Sequence, residues 1–113
     1  MQTFRLTPLV LAAWLLLTPS GYAADNAAPP PGAATHGRSL AENWCSSCHL
    51  VSAEQKSTRK AGAPPFATTA QSSTFNADHL AYLLYDPHPK MAKLALSRTA
   101  IEDIAAYIVS LKK

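Results

Sequence analysis

Apolar side chains recur at spacings of three and four through the last stretch of the chain, "SRTAIEDIAAYIVSLKK". Ile101, Ile104, Ala105, Ile108 and Leu111 fall on one face, the pattern of an amphipathic helix. Thr99 with Glu102 predicts a capping box at its start, and Lys112 and Lys113 suit the negative end of its dipole. A shorter helix is predicted within "FNADHLAYLLYDPHPKM", with Asn76 as N-cap, Leu80, Leu83 and Leu84 on one side, and Pro87 as the stop. Helix formers also run from Gly37 to Trp44, "GRSLAENW". "HLVSAEQKSTRKAGAPPF" reads as a polar, basic loop ended by two prolines, and "KMAKLAL" as a connector. No segment alternates as a half-buried strand would. The pattern predicts an all-α chain of three or four helices with long connections and no internal repeat.

The N-terminus breaks this pattern. "MQTFRLTPLVLAAWLLLTPSGYAADNAAPP" carries one basic residue, Arg5, then an apolar run from about Leu9 to Leu17 that ends at Pro19 and Gly21. This is the three-part layout of a secretory signal. The run is well below the ~20 residues of a membrane-spanning helix, which makes an uncleaved anchor the lesser reading. Gly21 and Ala23 supply the small residues a signal peptidase requires, so 1–23 is expected to be removed and the mature chain to start at Ala24. Residues 24–35, rich in Ala, Pro and Gly, are expected to form a flexible leader, and 36–113 the domain. The expected destination is the periplasm.

Export leaves about 90 residues, nine Lys and Arg against seven Asp and Glu, and both cysteines. A net charge near +2 on an exported chain is far from a nucleic-acid footprint. A core of that size is marginal on its own, and a disulfide between cysteines three apart would close a tiny loop and stabilise little. The pair must do something else.

"WCSSCH", Trp44 to His49, admits three chemistries: a redox dithiol, half a zinc site, or a haem anchor. A thioredoxin-like dithiol follows a buried strand, whereas this one follows a helical stretch. Zinc needs four ligands, and His36, His49, His79 and His88 match no zinc spacing with Cys45 and Cys48. Haem fits each feature. Two thiols two residues apart can form thioethers to both vinyl groups, and His49 follows directly as an iron ligand. An apolar macrocycle also supplies the core the chain lacks. After signal removal Met91 is the only methionine, in the proline-bracketed "DPHPKMAKL", and is the candidate second ligand. His88 is its competitor; His79 and His36 read as solvated.

These residues resemble the class I monohaem cytochromes c, in particular the short bacterial periplasmic type, over about residues 36–113. "CSSCH" corresponds to the attachment site. Gly37 stands eight residues before Cys45, where the family has the glycine at which its first and last helices cross. Ala41 occupies a position that is aromatic in the family. The resemblance implies that Gly37 abuts Ile104 and Tyr107 in "DIAAYI", with Trp44 compensating for Ala41. It further implies that the Pro64 carbonyl in "APPF" accepts a hydrogen bond from His49, that Phe66 packs on the haem, and that "PHPKM" is the distal-methionine loop. The interval between His49 and Met91 suits the compact bacterial form. No propionate-holding residue is identifiable.

The implied function is a non-enzymatic, soluble electron carrier with one covalent haem c, held through Cys45 and Cys48 and cycling between Fe(II) and Fe(III). Burial and a thioether ligand predict a positive potential. Tyr82, Leu80, Leu83, Leu84, Phe75, Ile104 and Ile108 are expected to face the haem. Lys56, Arg59, Lys60, Lys90 and Lys93 are candidates to steer an acidic partner in a salt-dependent manner. Expected partners are redox proteins: a periplasmic dehydrogenase or reductase as donor, an oxidase or reductase as acceptor. No nucleic acid or stable membrane insertion is expected, and the chain reads as a monomer. The alternatives are a haem-based ligand-binding or sensing protein, a peroxidase, or a subunit docked permanently on a periplasmic dehydrogenase.

Overall fold

A computed structural model of the protein describes residues 28–86, 91 and 93–113. Residues 1–27, with the expected signal, and Pro87, His88, Pro89, Lys90 and Ala92 lie outside the described residues. Among the described residues four helices follow in order: α1 (Ala33–Trp44), α2 (Phe66–Thr69), α3 (Ala77–Tyr85) and α4 (Arg98–Ser110). No strand occurs among the described residues.

Helix α4 organises the rest, packing along α1 and against α3 and α2. Its predicted face is the buried one: Ile101, Ile104, Ala105 and Ile108 are sealed, while Leu111 forms the C-cap and is half-buried. The start differs from the sequence reading. Ser97, not Thr99, is the N-cap, its hydroxyl accepting from the Ala100 amide at 3.1 Å. Glu102 turns instead to Arg98, 2.7 Å away, and Arg98 also pairs with Asp78 of α3 at 2.7 Å.

Helix α1 begins at Ala33, inside the stretch expected to be a flexible leader and four residues before Gly37. Gly32, at φ 86°, makes the left-handed entry that glycine tolerates. The extra turn forms because Ala33, Gly37 and Ala41 make a buried stripe of small residues at spacing four. That stripe lets α1 lie close on α4. A Cβ at Gly37 would collide with the Asp103 carbonyl and the Ile104 amide nitrogen. The glycine therefore abuts the backbone at Asp103 and Ile104. Tyr107, expected beside it, instead donates its hydroxyl to the Val51 carbonyl at 2.7 Å. Ala41 is fully buried in the crossing, where its small side chain is what fits. Trp44, expected to compensate, is 54% exposed.

Helix α3 is capped as predicted, Asn76 Oδ1 accepting from the His79 amide at 2.8 Å. Leu80 and Leu84 are buried and Leu83 half-buried. The short α2 had no sequence prediction. It starts immediately after Pro65, whose carbonyl accepts from the amides of Thr68 and Thr69.

Candidate functional site

The turn that follows α1 carries both cysteines and His49. Backbone bonds of 3.1 and 2.9 Å from the amides of Cys48 and His49 to the Cys45 carbonyl close it into a single turn. The next residues are tied down on every side. The Ser47 carbonyl accepts from the amides of Arg59 and Lys60, and the Leu50 carbonyl from the Phe66 amide. Val51 is buried, and its carbonyl takes the Tyr107 hydroxyl. The Gln55 side chain reaches back into the turn: Nε2 donates to the carbonyls of Ser46 (2.8 Å), His49 (3.0 Å) and Ser57 (3.1 Å), and Oε1 accepts from the Val51 amide (2.9 Å).

The imidazole of His49 is held from the far end of the loop. Its Nδ1 lies 2.7 Å from the Pro64 carbonyl oxygen. A carbonyl can only accept, so Nδ1 carries a proton, and in the neutral ring Nε2 is the nitrogen that keeps its lone pair. The Phe66 ring stands 5.3 Å from the imidazole, tilted by 51°. Ring position and tautomer are therefore both set by the "APPF" segment.

These groups border one cavity of about 880 Å³. Cys45, Cys48, His49, Pro64, Phe66 and Met91 all line it. Its walls come from Phe75, Leu80, Leu83 and Leu84 around α3 and from Ile104 and Ile108 of α4, six of the seven side chains expected there. Tyr82 is the exception: it is 63% exposed on the outer side of α3 and borders nothing in the cavity. Leu94 and Leu96, missed in "KMAKLAL", complete the wall; the signal was their spacing of two in the connector, with both half-buried between exposed neighbours. Burial pushes the Cys45 thiol up to about 11, so this sulfur faces the apolar wall as a neutral group.

Of the basic residues, Lys60 lies at the mouth, as does Trp44: both are exposed and border the cavity. Arg59 borders a separate polar cleft with Asn43, Ser57 and Thr58, and Lys56 and Lys93 are exposed. His36, expected to be solvated in the leader, sits on α1 with Nδ1 2.6 Å from Asp103 Oδ2; the carboxylate is largely buried and the imidazole mostly outside. Its partner is 67 residues away, and no local signal marks the pair.

No group of three or more His, Cys, Asp or Glu side chains gathers among the described residues, so no zinc-type cluster is assembled there. No described helix is long and apolar enough to cross a membrane. What the cavity offers is a wide apolar slot bordered by two sulfurs, an oriented imidazole and a thioether. That donor set fits a metal-bearing macrocycle of low polarity.

The chain matches the cytochrome c family over residues 34–112. Over 79 residues it is 49% identical to cytochrome c-552 of Bradyrhizobium diazoefficiens, an alignment covering 70% of this chain and 75% of that protein. No solved structure matches it.

Proposed function

Because the chain belongs to the class I monohaem cytochromes c, with haem c attached at "CSSCH", we propose that it is a soluble periplasmic carrier whose iron is held by His49 and Met91. The observation that carries the ligand assignment is the bond from His49 Nδ1 to the Pro64 carbonyl, which leaves Nε2 free to donate to a metal on a side chain that lines the cavity. Met91 supports it as the one thioether on the cavity wall, half-buried there. Bound haem supplies a one-electron Fe(II)/Fe(III) couple.

The chain's own residues set how that couple behaves. Pro64 strengthens His49 as a donor because its carbonyl accepts the hydrogen bond from Nδ1–H, and Phe66 limits rotation of the ring. Leu80, Leu84, Ile104 and Ile108 exclude water, which disfavours the more charged ferric form. A soft thioether at Met91 favours the ferrous form as well, so the potential is positive. Electrons enter and leave by the mouth, where Trp44 and Lys60 stand. That surface suits a redox partner with an acidic face. Delivery to the periplasm rests on the signal-like residues 1–23.

Met91→Ala tests the ligand set. The parent protein is expected to bind carbon monoxide slowly and its ferric form to show a weak long-wavelength sulfur-to-iron band; the variant should lose the band and bind rapidly. Equally fast binding by the parent protein would instead favour a ligand-binding or sensing role.

A further inference from the structure

The Gln55 carboxamide makes more bonds to the attachment turn than any other side chain in the described residues, and the electron-carrier reading leaves it without a task. Its four bonds have a clear direction. The Val51 amide needs an acceptor, while the Ser46, His49 and Ser57 carbonyls need a donor, which fixes the amide orientation as Oε1 toward Val51. Ser46 lies between the two cysteines, and His49 directly follows the second. One half-buried side chain thus grips the backbone of both the anchor and the imidazole. On its N-terminal side the His49 peptide is held by the Cys45 carbonyl at 2.9 Å; on its C-terminal side the Gln55 bond holds its carbonyl. With the ring tethered at Nδ1 to Pro64, any swing of that carbonyl changes the angle at which Nε2 points into the cavity.

We infer that Gln55 is a positioning residue for His49: its carboxamide locks the peptide plane that aims Nε2 at the iron, and the Val51–Tyr107 link anchors that lock to α4. The inference rests on His49 being the proximal ligand. Gln55 touches neither the cavity nor the reacting atoms, so it acts only through the turn.

The test compares haem-loaded parent protein with Gln55→Leu, Gln55→Glu and Ile101→Val. The last removes buried volume from α4 away from the turn and the cavity wall. The readouts are the paramagnetically shifted ring resonances in the ferric state, hydrogen exchange at the Val51 amide, and the reduction potential. Gln55→Leu is expected to move the His49 resonances and the potential and to speed Val51 exchange by roughly ten-fold, since the amide loses its acceptor. Gln55→Glu keeps an acceptor for Val51 but turns an oxygen toward three carbonyls. It should move the His49 resonances while leaving Val51 protected. Ile101→Val should lower the melting temperature and move neither. Should the shifted ring in the parent protein belong to another histidine, the ligand reading falls and takes the inference with it. If it belongs to His49 and stays put in both Gln55 variants, the inference alone is overturned.

Discussion

At Gly37 the backbone of α1 approaches the Asp103–Ile104 peptide of α4 so closely that a β-carbon there would overlap the Asp103 carbonyl. Gly37→Ala gains about 1 kcal/mol of helix propensity and loses the crossing. Its clash is with backbone, which cannot rotate away, so the overpacking cost of about 3 kcal/mol or more wins. A urea titration of the haem-loaded variant should show a midpoint well below the parent's; an unchanged midpoint would mean the helices do not meet there. Tyr107, one turn further along α4, offers a test with a defined pH dependence. Burial raises its phenol above the ordinary tyrosine value, and the proton it keeps is the one given to Val51. The native state therefore holds that proton more tightly than the unfolded chain does. The stabilisation is intact below about pH 10 and lost as pH climbs past it. Tyr107→Phe should cost about 1 kcal/mol at neutral pH, with the gap to the parent narrowing in alkaline solution. Unfolding curves at pH 7 and above pH 10 would check both signs.

The element scale shows which readings a sequence supports. Periodicity picked out the buried faces of α3 and α4 correctly, because Leu80, Leu84, Ile101, Ile104 and Ile108 repeat at helical spacing and nothing nearby competes. The start of α4 was not legible to better than a turn. Ser97 and Thr99 are both good cap residues two positions apart, and the choice is made by where the connector leaves the cavity wall at Leu96. The start of α1 was hidden for a different reason. "PPPGAAT" has a linker's composition, and only the face of α4 opposite Ala33 and Gly37 makes it worth folding. His36 with Asp103, and Gln55 with the attachment turn, are contacts between ordinary surface residue types that no spacing rule singles out. By contrast the Cys45, Cys48 and His49 triplet was plain, because two cysteines three apart followed by a histidine form a contiguous haem-attachment motif. The cap assignment can be measured directly. Ser97→Ala should cost about 1 kcal/mol in thermal or urea unfolding, whereas Thr99→Ala should fall within about 0.5 kcal/mol of the parent. The reverse order would restore the capping box.

At the scale of the whole molecule, the cavity of about 880 Å³ sits where a domain of this length would otherwise keep its core. Phe66, Leu80, Leu84, Ile104 and Ile108 all present apolar surface to it, and α3 and α4 meet around it rather than filling it. An occupant of low polarity would take that apolar lining out of water, a stabilisation of about 25 cal/mol for each Å² covered. The α1–α4 crossing is the part least dependent on the cofactor, since Ala33, Gly37 and Ala41 pack on α4 without lining the cavity. Chain prepared without haem, or with Cys45→Ser and Cys48→Ser together, should therefore lose most of its far-ultraviolet helical signal and elute as an expanded species. Weak helicity should persist in α1 and α4 while α3 melts, because among the helices α3 packs on α4 alone and its other apolar residues line the cavity. Circular dichroism and size-exclusion chromatography, with amide exchange to separate the helices, make the measurement. A haem-free chain with parent-like helicity and radius would show that protein contacts alone close the fold and that the haem is a passenger in it.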